Sequence, residues 1–548
     1  MKPIRTPRAT ALAFAVLFSI QASSDDRLGN ELGTVRFEVS GSPEAQAHVV
    51  RGVKLMHHMM YPQADREFAA AVDADPKCAL AYWGRAMSLI HPLWPDAVYP
   101  GERVLGAEQI RLGLACPPAT QRERDYLETL SIYFGDGSPG DHVEGLKAMD
   151  KAWAALAARY PDDLDATAFS ALYHLAPARF LAKDRSHRAQ IEAAAQLQRV
   201  ADVIPDHPGA QHYKIHAFDF PLLADRALEV CDTYGGIAPD VPHALHMPTH
   251  IYTRRGLWQK SIEFNIRSAA AARKLAEDAG ALNGHLPHAL DYMAYAYLQR
   301  GQYREAAAVR DTLATMEGPY SPVQPTAMAF AFAAVPARCA LESQDWEKAA
   351  ALPVHVPAAF PWGNQYLNCD SIVRFARAIG AARSGKLDAA RAEIAELERI
   401  LAALAAAKRE AYWISQAETQ LLAARAWVAF AGKDREAAIA LMRRAADLEA
   451  ASDKEAVTPG EVLPAGDLLG DMLLEAGRPA EALAAYEAVL EKSPNRLNTL
   501  YGAAVAAEGA DDTAKAKLHY KELAAVATDA DTGIKRVEQA RARIASDR

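Results

Sequence analysis

Six histidines fall in three short stretches whose spacing suits metal chemistry. The stretches are Pro208-Gly209-Ala210-Gln211-His212-Tyr213-Lys214-Ile215-His216, Pro242-His243-Ala244-Leu245-His246-Met247-Pro248-Thr249-His250 and Pro287-His288-Ala289-Leu290-Asp291-Tyr292-Met293-Ala294-Tyr295. His212/His216 and His246/His250 are i, i+4 pairs, which share one face of a helix and can grip an ion together. His243 and His288 would add ligands, and Asp291 a carboxylate that binds or orients. Such a donor set suits copper, iron or zinc. It is large enough for one closed site or for two neighbouring ions. The chain holds 17 histidines in 548 residues, so six matched in three segments are a pattern rather than background.

These residues converge only if three helices stand side by side, and the rest of the chain supplies the frame. Near the C-terminus, Leu469-Gly470, Ala482, Tyr486, Val489 and Pro494 are followed one period later by Ala516, Tyr520 and Leu523. Near the N-terminus, Gly52, Ala64, Phe68, Ala71 and Pro76 fall in the same register, and Trp153 and Tyr160-Pro161 close a further unit. The period of about 34 residues is that of tetratricopeptide (TPR) helix pairs. Small residues let paired helices approach, the aromatic fills the gap between units, and proline stops the second helix. The expected fold is therefore all-α, a TPR superhelical solenoid of helix-turn-helix repeats with a concave groove. Proline suits the first helical position, so Pro208, Pro242 and Pro287 each open a unit. His243 and His288 then share the second position of their units. His212, His246 and Asp291 share the fifth, and His216, His250 and Tyr295 the ninth. These positions lie on one helical face. First helices of adjacent units pack about 8–10 Å apart, so their imidazoles can meet.

The expected organisation is a signal peptide at 1–24, an N-terminal TPR array at 25–317 carrying the histidine groove, a bend at 318–364 and a C-terminal array at 365–548. The bend rests on Pro319, Pro322, Pro325, Pro336, Pro353, Pro357 and Pro361. A longer loop is expected around Asp278 to His285. The leader rests on basic Lys2, Arg5 and Arg8, the apolar run Ala11 to Ile20, and small residues at Ala22-Ser23-Ser24. It implies a periplasmic or secreted protein with no membrane span after cleavage.

Around the histidines, Arg254, Tyr295, His57 and His91 are candidates for ligand binding. Arg254 could hold an anion bidentately. The competing reading is a cation placed against a helix C-terminus. Tyr252, Tyr297 and His174 read as packing residues. Three functional readings stay open. One is a transition-metal site in the groove, with oxidoreductase chemistry on copper or iron. Another is a metal-free scaffold whose groove takes a peptide, protein or small-molecule ligand. The third is a metal carrier or buffer. No nucleophile motif, P-loop or dinucleotide fingerprint is present, so catalytic residues are not assigned.

Composition narrows the partners. Apolar residues make up 51% and charged residues 24%, enough for a large packed core. The net charge of −9 argues against nucleic acid, which demands phosphate neutralisation. Cys78, Cys116, Cys231, Cys339 and Cys369 form no C-x-x-C pair and are odd in number, so buried free thiols are expected.

The chain resembles a family of exported bacterial TPR proteins. The likeness runs through Tyr82-Trp83-Gly84-Arg85-Ala86-Met87, His91-Pro92-Leu93-Trp94, and His207-Pro208-Gly209 onward through His212 and His216. It continues through Pro242 to Ile251, His288-Ala289-Leu290-Asp291-Tyr292, Pro494-Asn495-Arg496 and Leu500-Tyr501-Gly502-Ala503-Ala504. Relatives often carry leucine at the position of Lys214. The resemblance implies the TPR fold and a groove-facing histidine surface, and no particular activity.

Overall fold

The computed structural model describes residues 28–94, 98–116, 120–138, 140–178, 186–452 and 454–546. The leader at 1–24 lies outside the described residues. Helices follow one another in antiparallel pairs, from Pro43–His57 with Tyr61–Ala74 to Leu497–Gly509 with Thr513–Val526. The helix Lys535–Ser546 packs on the last pair. Apart from one isolated bridge between Leu282 and Tyr320, no strand occurs among the described residues. The molecule is an all-α repeat solenoid.

The repeat register is visible as packing. A Cβ on Gly84 would lie 2.2 Å from the Phe68 ring, and one on Gly52 2.8 Å from it. Tyr486 meets Gly470 and Gly502 in the same way, at 2.5 and 2.4 Å. Each aromatic is a wedge between consecutive units, and only glycine leaves room for it. Phe68, Trp83 and Trp153 are fully buried, each contributing about 1.5–3 kcal/mol as apolar surface leaves water. Proline marks the boundaries: Pro76, Pro161 and Pro494 lie just beyond helices ending at Ala74, Arg159 and Lys492. The five cysteines are buried free thiols. No helix among the described residues is long and apolar enough to cross a membrane.

Four expectations change. First, the helix opened by Pro242 is broken into Pro242–His246 and Pro248–Arg254. Pro248 has no N–H to donate back to the ladder, so the chain kinks there. Second, the third histidine helix begins at His285 rather than Pro287, after a loop that starts at Gly280. Third, the proline-rich stretch 318–364, expected as a bend, carries helices of its own. It carries the helix Pro325–Glu342, with Pro325 in its first turn and Pro336 inside it, and then Trp346–Ala350. The helix array runs through this region, packing Pro325–Glu342 against His285–Gln299 and Leu367–Arg383.

The fourth change concerns the concave surface, which is not open at the histidines. The solenoid curls far enough for distant units to touch. Trp258 Nε1 donates to Asn495 O at 2.7 Å, and Arg304 Nε donates to Asp531 Oδ1 at 3.0 Å. The segment 454–464, between helices Arg435–Ala450 and Ala465–Glu475, lies against the inner face. The Tyr292 hydroxyl lies 3.0 Å from both Ala456 O and Thr458 O. Arg338 donates to Thr458 Oγ1 at 2.9 Å and to Gly460 O at 2.7 Å. The inner surface is thereby buried. One apolar core runs from Leu28 to Leu275 and a second from Ala269 to Ala516. The histidine face lies where the two meet.

Candidate metal centre

The histidines gather as two triads built by one rule. Each takes the i, i+4 pair of one unit and the second-position histidine of the next. His212, His216 and His243 place one ring nitrogen each within 4.8 Å of one another, and His246, His250 and His288 do the same. Ring centroids are 4.9 Å apart for His212/His216 and for His246/His250. His243 lies 4.9 Å from His212, and His288 lies 4.3 Å from His246. The triads adjoin, with the rings of His216 and His250 6.5 Å apart. All but His216 are buried.

The outer nitrogens are held by acceptors. His212 Nδ1 donates to His57 O at 2.6 Å, and His250 Nδ1 donates to Asp219 Oδ2 at 2.9 Å. His246 Nδ1 lies 2.8 Å from Asn265 Oδ1, while Asn265 Nδ2 donates to Ser261 O at 2.9 Å. That second bond turns the amide oxygen toward the ring, so Nδ1 carries the proton. With Nδ1 protonated, Nε2 of a neutral ring presents a lone pair. His246 Nε2 and His250 Nε2 face each other at 3.1 Å, and His212 Nε2 lies 3.2 Å from His216 Nε2. Burial favours the neutral form of His212, His243, His246, His250 and His288. It pushes His212 down to about 3, and His243, His246 and His288 well below the usual histidine range. His243 finds no hydrogen-bond partner for either ring nitrogen, although only 5% of it is exposed. An orphaned buried polar ring is costly unless something takes its lone pair.

The other sequence candidates are placed differently. Asp291 belongs to neither triad; its Oδ1 pairs with Arg338, and burial raises it to about 6. Sharing a register position put Asp291 on the right face, but the arginine from the next unit captures it. His57 belongs to a separate buried group. Its Nε2 lies 3.0 Å from Asp165 Oδ1, which is also 3.3 Å from His207 Nε2. His207 Nδ1 accepts from Ala210 N at 3.1 Å, so its Nε2 carries a proton toward Asp165. This group, a third cluster whose ligand atoms lie within 4.8 Å of one another, leaves Asp165 Oδ2 without a partner and supports the first triad through His57 O. His91 stacks on Tyr61 at 4.4 Å, within an aromatic cluster that includes Trp94. Tyr295 is buried and accepts from Arg496 Nη1 at 2.5 Å. Arg254 is spent internally, donating Nε to Asp219 Oδ1 and Nη2 to Asp219 O, both at 2.8 Å. Tyr252 is core, as expected, while His174 pairs with Asp150 at 3.1 Å rather than only packing.

Several residues escaped the sequence. Asp219 and Asn265 orient the second triad but follow no spacing rule, because one sits past a helix end and the other on a second helix. His285 adds a ring 5.8 Å from His243; it precedes the register, in the stretch where a loop is expected. Tyr292 packs its ring 4.7 Å from His246 and 4.9 Å from His250. Lys454 arrives from the inner segment, 3.6 Å from Asp219 Oδ2.

No protein-family model and no curated protein matches the chain. Among solved structures, yeast Tom70 aligns over 92% of this chain and 95% of its own at 11% identity, with a TM-score of 0.31. A human IFIT1 dimer with m7Gppp-AAAA aligns over 90% and 91% at 11% identity and a TM-score of 0.36. The TPR domain of P58(IPK) aligns over 86% and 99% at 15% identity and a TM-score of 0.20.

Proposed function

We propose that this chain is a metalloprotein holding two transition-metal ions, one in each three-histidine triad. The opposed Nε2 atoms carry the reading. In the second triad both lone pairs face inward at 3.1 Å while both Nδ1 atoms are committed outward. Without an acceptor of those lone pairs the arrangement is repulsive. Two nitrogens bound at about 2.0–2.1 Å to one tetrahedral ion lie roughly 3.3 Å apart, which is close to the spacing observed.

Neutral imidazole donors with no thiolate favour copper, with zinc next. Iron usually adds a carboxylate, and Asp291 is taken by Arg338. Three ligands leave a coordination position open. Copper in such a pair of sites supplies one-electron chemistry, so the preferred activity is that of an oxidoreductase. The chain's own part is to fix the rings through His57 O, Asn265 and Asp219, and to exclude bulk water with the segment 454–464. The same reading puts the protein in an extracytoplasmic compartment, on the strength of the basic, apolar and small-residue pattern at its N-terminus.

X-ray absorption of the copper-loaded protein tests the donor set. Imidazole nitrogens at about 2.0 Å without sulfur are expected. The spectrum should be unchanged in Asp291→Asn and altered in His243→Ala and His288→Ala. A sulfur shell, or indifference to both histidine variants, overturns the assignment.

A further inference from the structure

Beside the second triad lies a small polar cavity of about 30 Å³ that the metal reading does not use. Arg254, Lys454, Lys492 and Ser493 line it. Lys454 is the informative residue. Its side chain is 4% exposed, and its ammonium makes no hydrogen bond among the described residues. The nearest carboxylate oxygen, Asp219 Oδ2, is 3.6 Å away. That oxygen already accepts from His250 Nδ1, and its partner Oδ1 accepts from Arg254 Nε. One carboxylate therefore serves two cations and an imidazole. Lys492 spends a single bond, to Ala450 O at 2.7 Å. Glu461 lines the same cavity and acts on Lys454 through charge, but makes no hydrogen bond to it. Buried Lys454 and Arg254 thus meet exposed Lys492 at one cavity with Glu461, while the neighbouring Asp219 is already engaged.

A buried charge needs a partner, because the cost of leaving it bare is large. We propose that this cavity binds the anionic group of a small molecule, an oxyanion with two or more acceptor oxygens such as a phosphate or carboxylate. Lys454 is its main donor, with Lys492 reaching the cavity from the exposed side; Arg254, held by Asp219, adds positive charge. Such a group fits the donor chemistry: charge-assisted N–H bonds from ammonium and guanidinium to oxygen. Burial brings Lys454 down to about 8, so it still carries its charge at neutral pH. The bound anion lies one carboxylate away from His250, which places an anionic tag beside the second triad. The inference rests on the cavity itself and does not require the triads to be occupied.

Isothermal titration of inorganic phosphate and of formate into the full chain, at low ionic strength and pH 7, tests it. Metal content is measured on the same samples. Saturable one-to-one binding is expected. Lys454→Met should weaken it at least tenfold, and Lys454→Arg should retain it within a few fold. If Lys454→Met melts abnormally, Lys492→Met replaces it, with a several-fold loss expected. Absence of saturable binding, or unchanged binding in both methionine variants, overturns the proposal. Because phosphate binding is read directly, a protein that binds phosphate but refuses added copper would contradict the metal reading alone.

Discussion

His57, His58 and His91 show how burial sets protonation at the scale of single residues. Burial pushes His57 and His91 down to about 4 and His58 to about 3. His58 is held neutral with Tyr234 Oη 2.8 Å from its Nδ1 and Leu32 O 3.3 Å from its Nε2. An unfolded histidine protonates near 6.5. Between there and the folded values the unfolded chain binds more protons, so folding stability falls as pH falls. The loss begins near pH 6.5 and continues to about pH 4, at up to roughly 1.4 kcal/mol per pH unit for each such histidine. Urea unfolding of metal-free protein at pH 7.5, 6 and 5 checks this. Equal midpoints at pH 7.5 and 5 would contradict it. At this scale the sequence was only partly legible. The six histidines were found from spacing, but the orienting Asp219 and Asn265 were not, since a hydrogen bond across elements leaves no periodic trace.

At the scale of helices the register was readable because packing is local. The aromatic of one helix must meet glycine in its own unit and the next, and that demand recurs with the period. Gly84 shows the cost of ignoring it. A methyl at this position would sit 2.2 Å from the Phe68 ring, which has no free side to move into. Gly84→Ala is expected to cost about 1–3 kcal/mol as overpacking. Phe68→Leu in the same chain should recover part of it. Thermal or urea denaturation reads both, and a Gly84→Ala protein as stable as wild type would show that the wedge is not tight. The prolines misled because their meaning depends on position. Pro325 opens a helix and Pro336 is tolerated inside one, so proline density does not exclude helix.

At the scale of the whole molecule, the all-α repeat architecture follows from the period, but the closure of the coil does not. Contacts such as Trp258 to Asn495 and Tyr292 to Thr458 join residues far apart in sequence. They come from the accumulated rotation of many units, which no single repeat encodes. That closure turns a groove-facing histidine surface into a buried one and makes neutral, inward-facing imidazoles its defining chemistry. Two equivalent triads then imply a definite stoichiometry. Elemental analysis of protein purified without a histidine tag, beside His212→Ala/His216→Ala and His246→Ala/His250→Ala variants, measures it directly. The account predicts two equivalents of a transition metal, copper first, in the wild type and about one in each double variant. A wild-type protein that refuses added copper at neutral pH, or double variants that keep full occupancy, would contradict it.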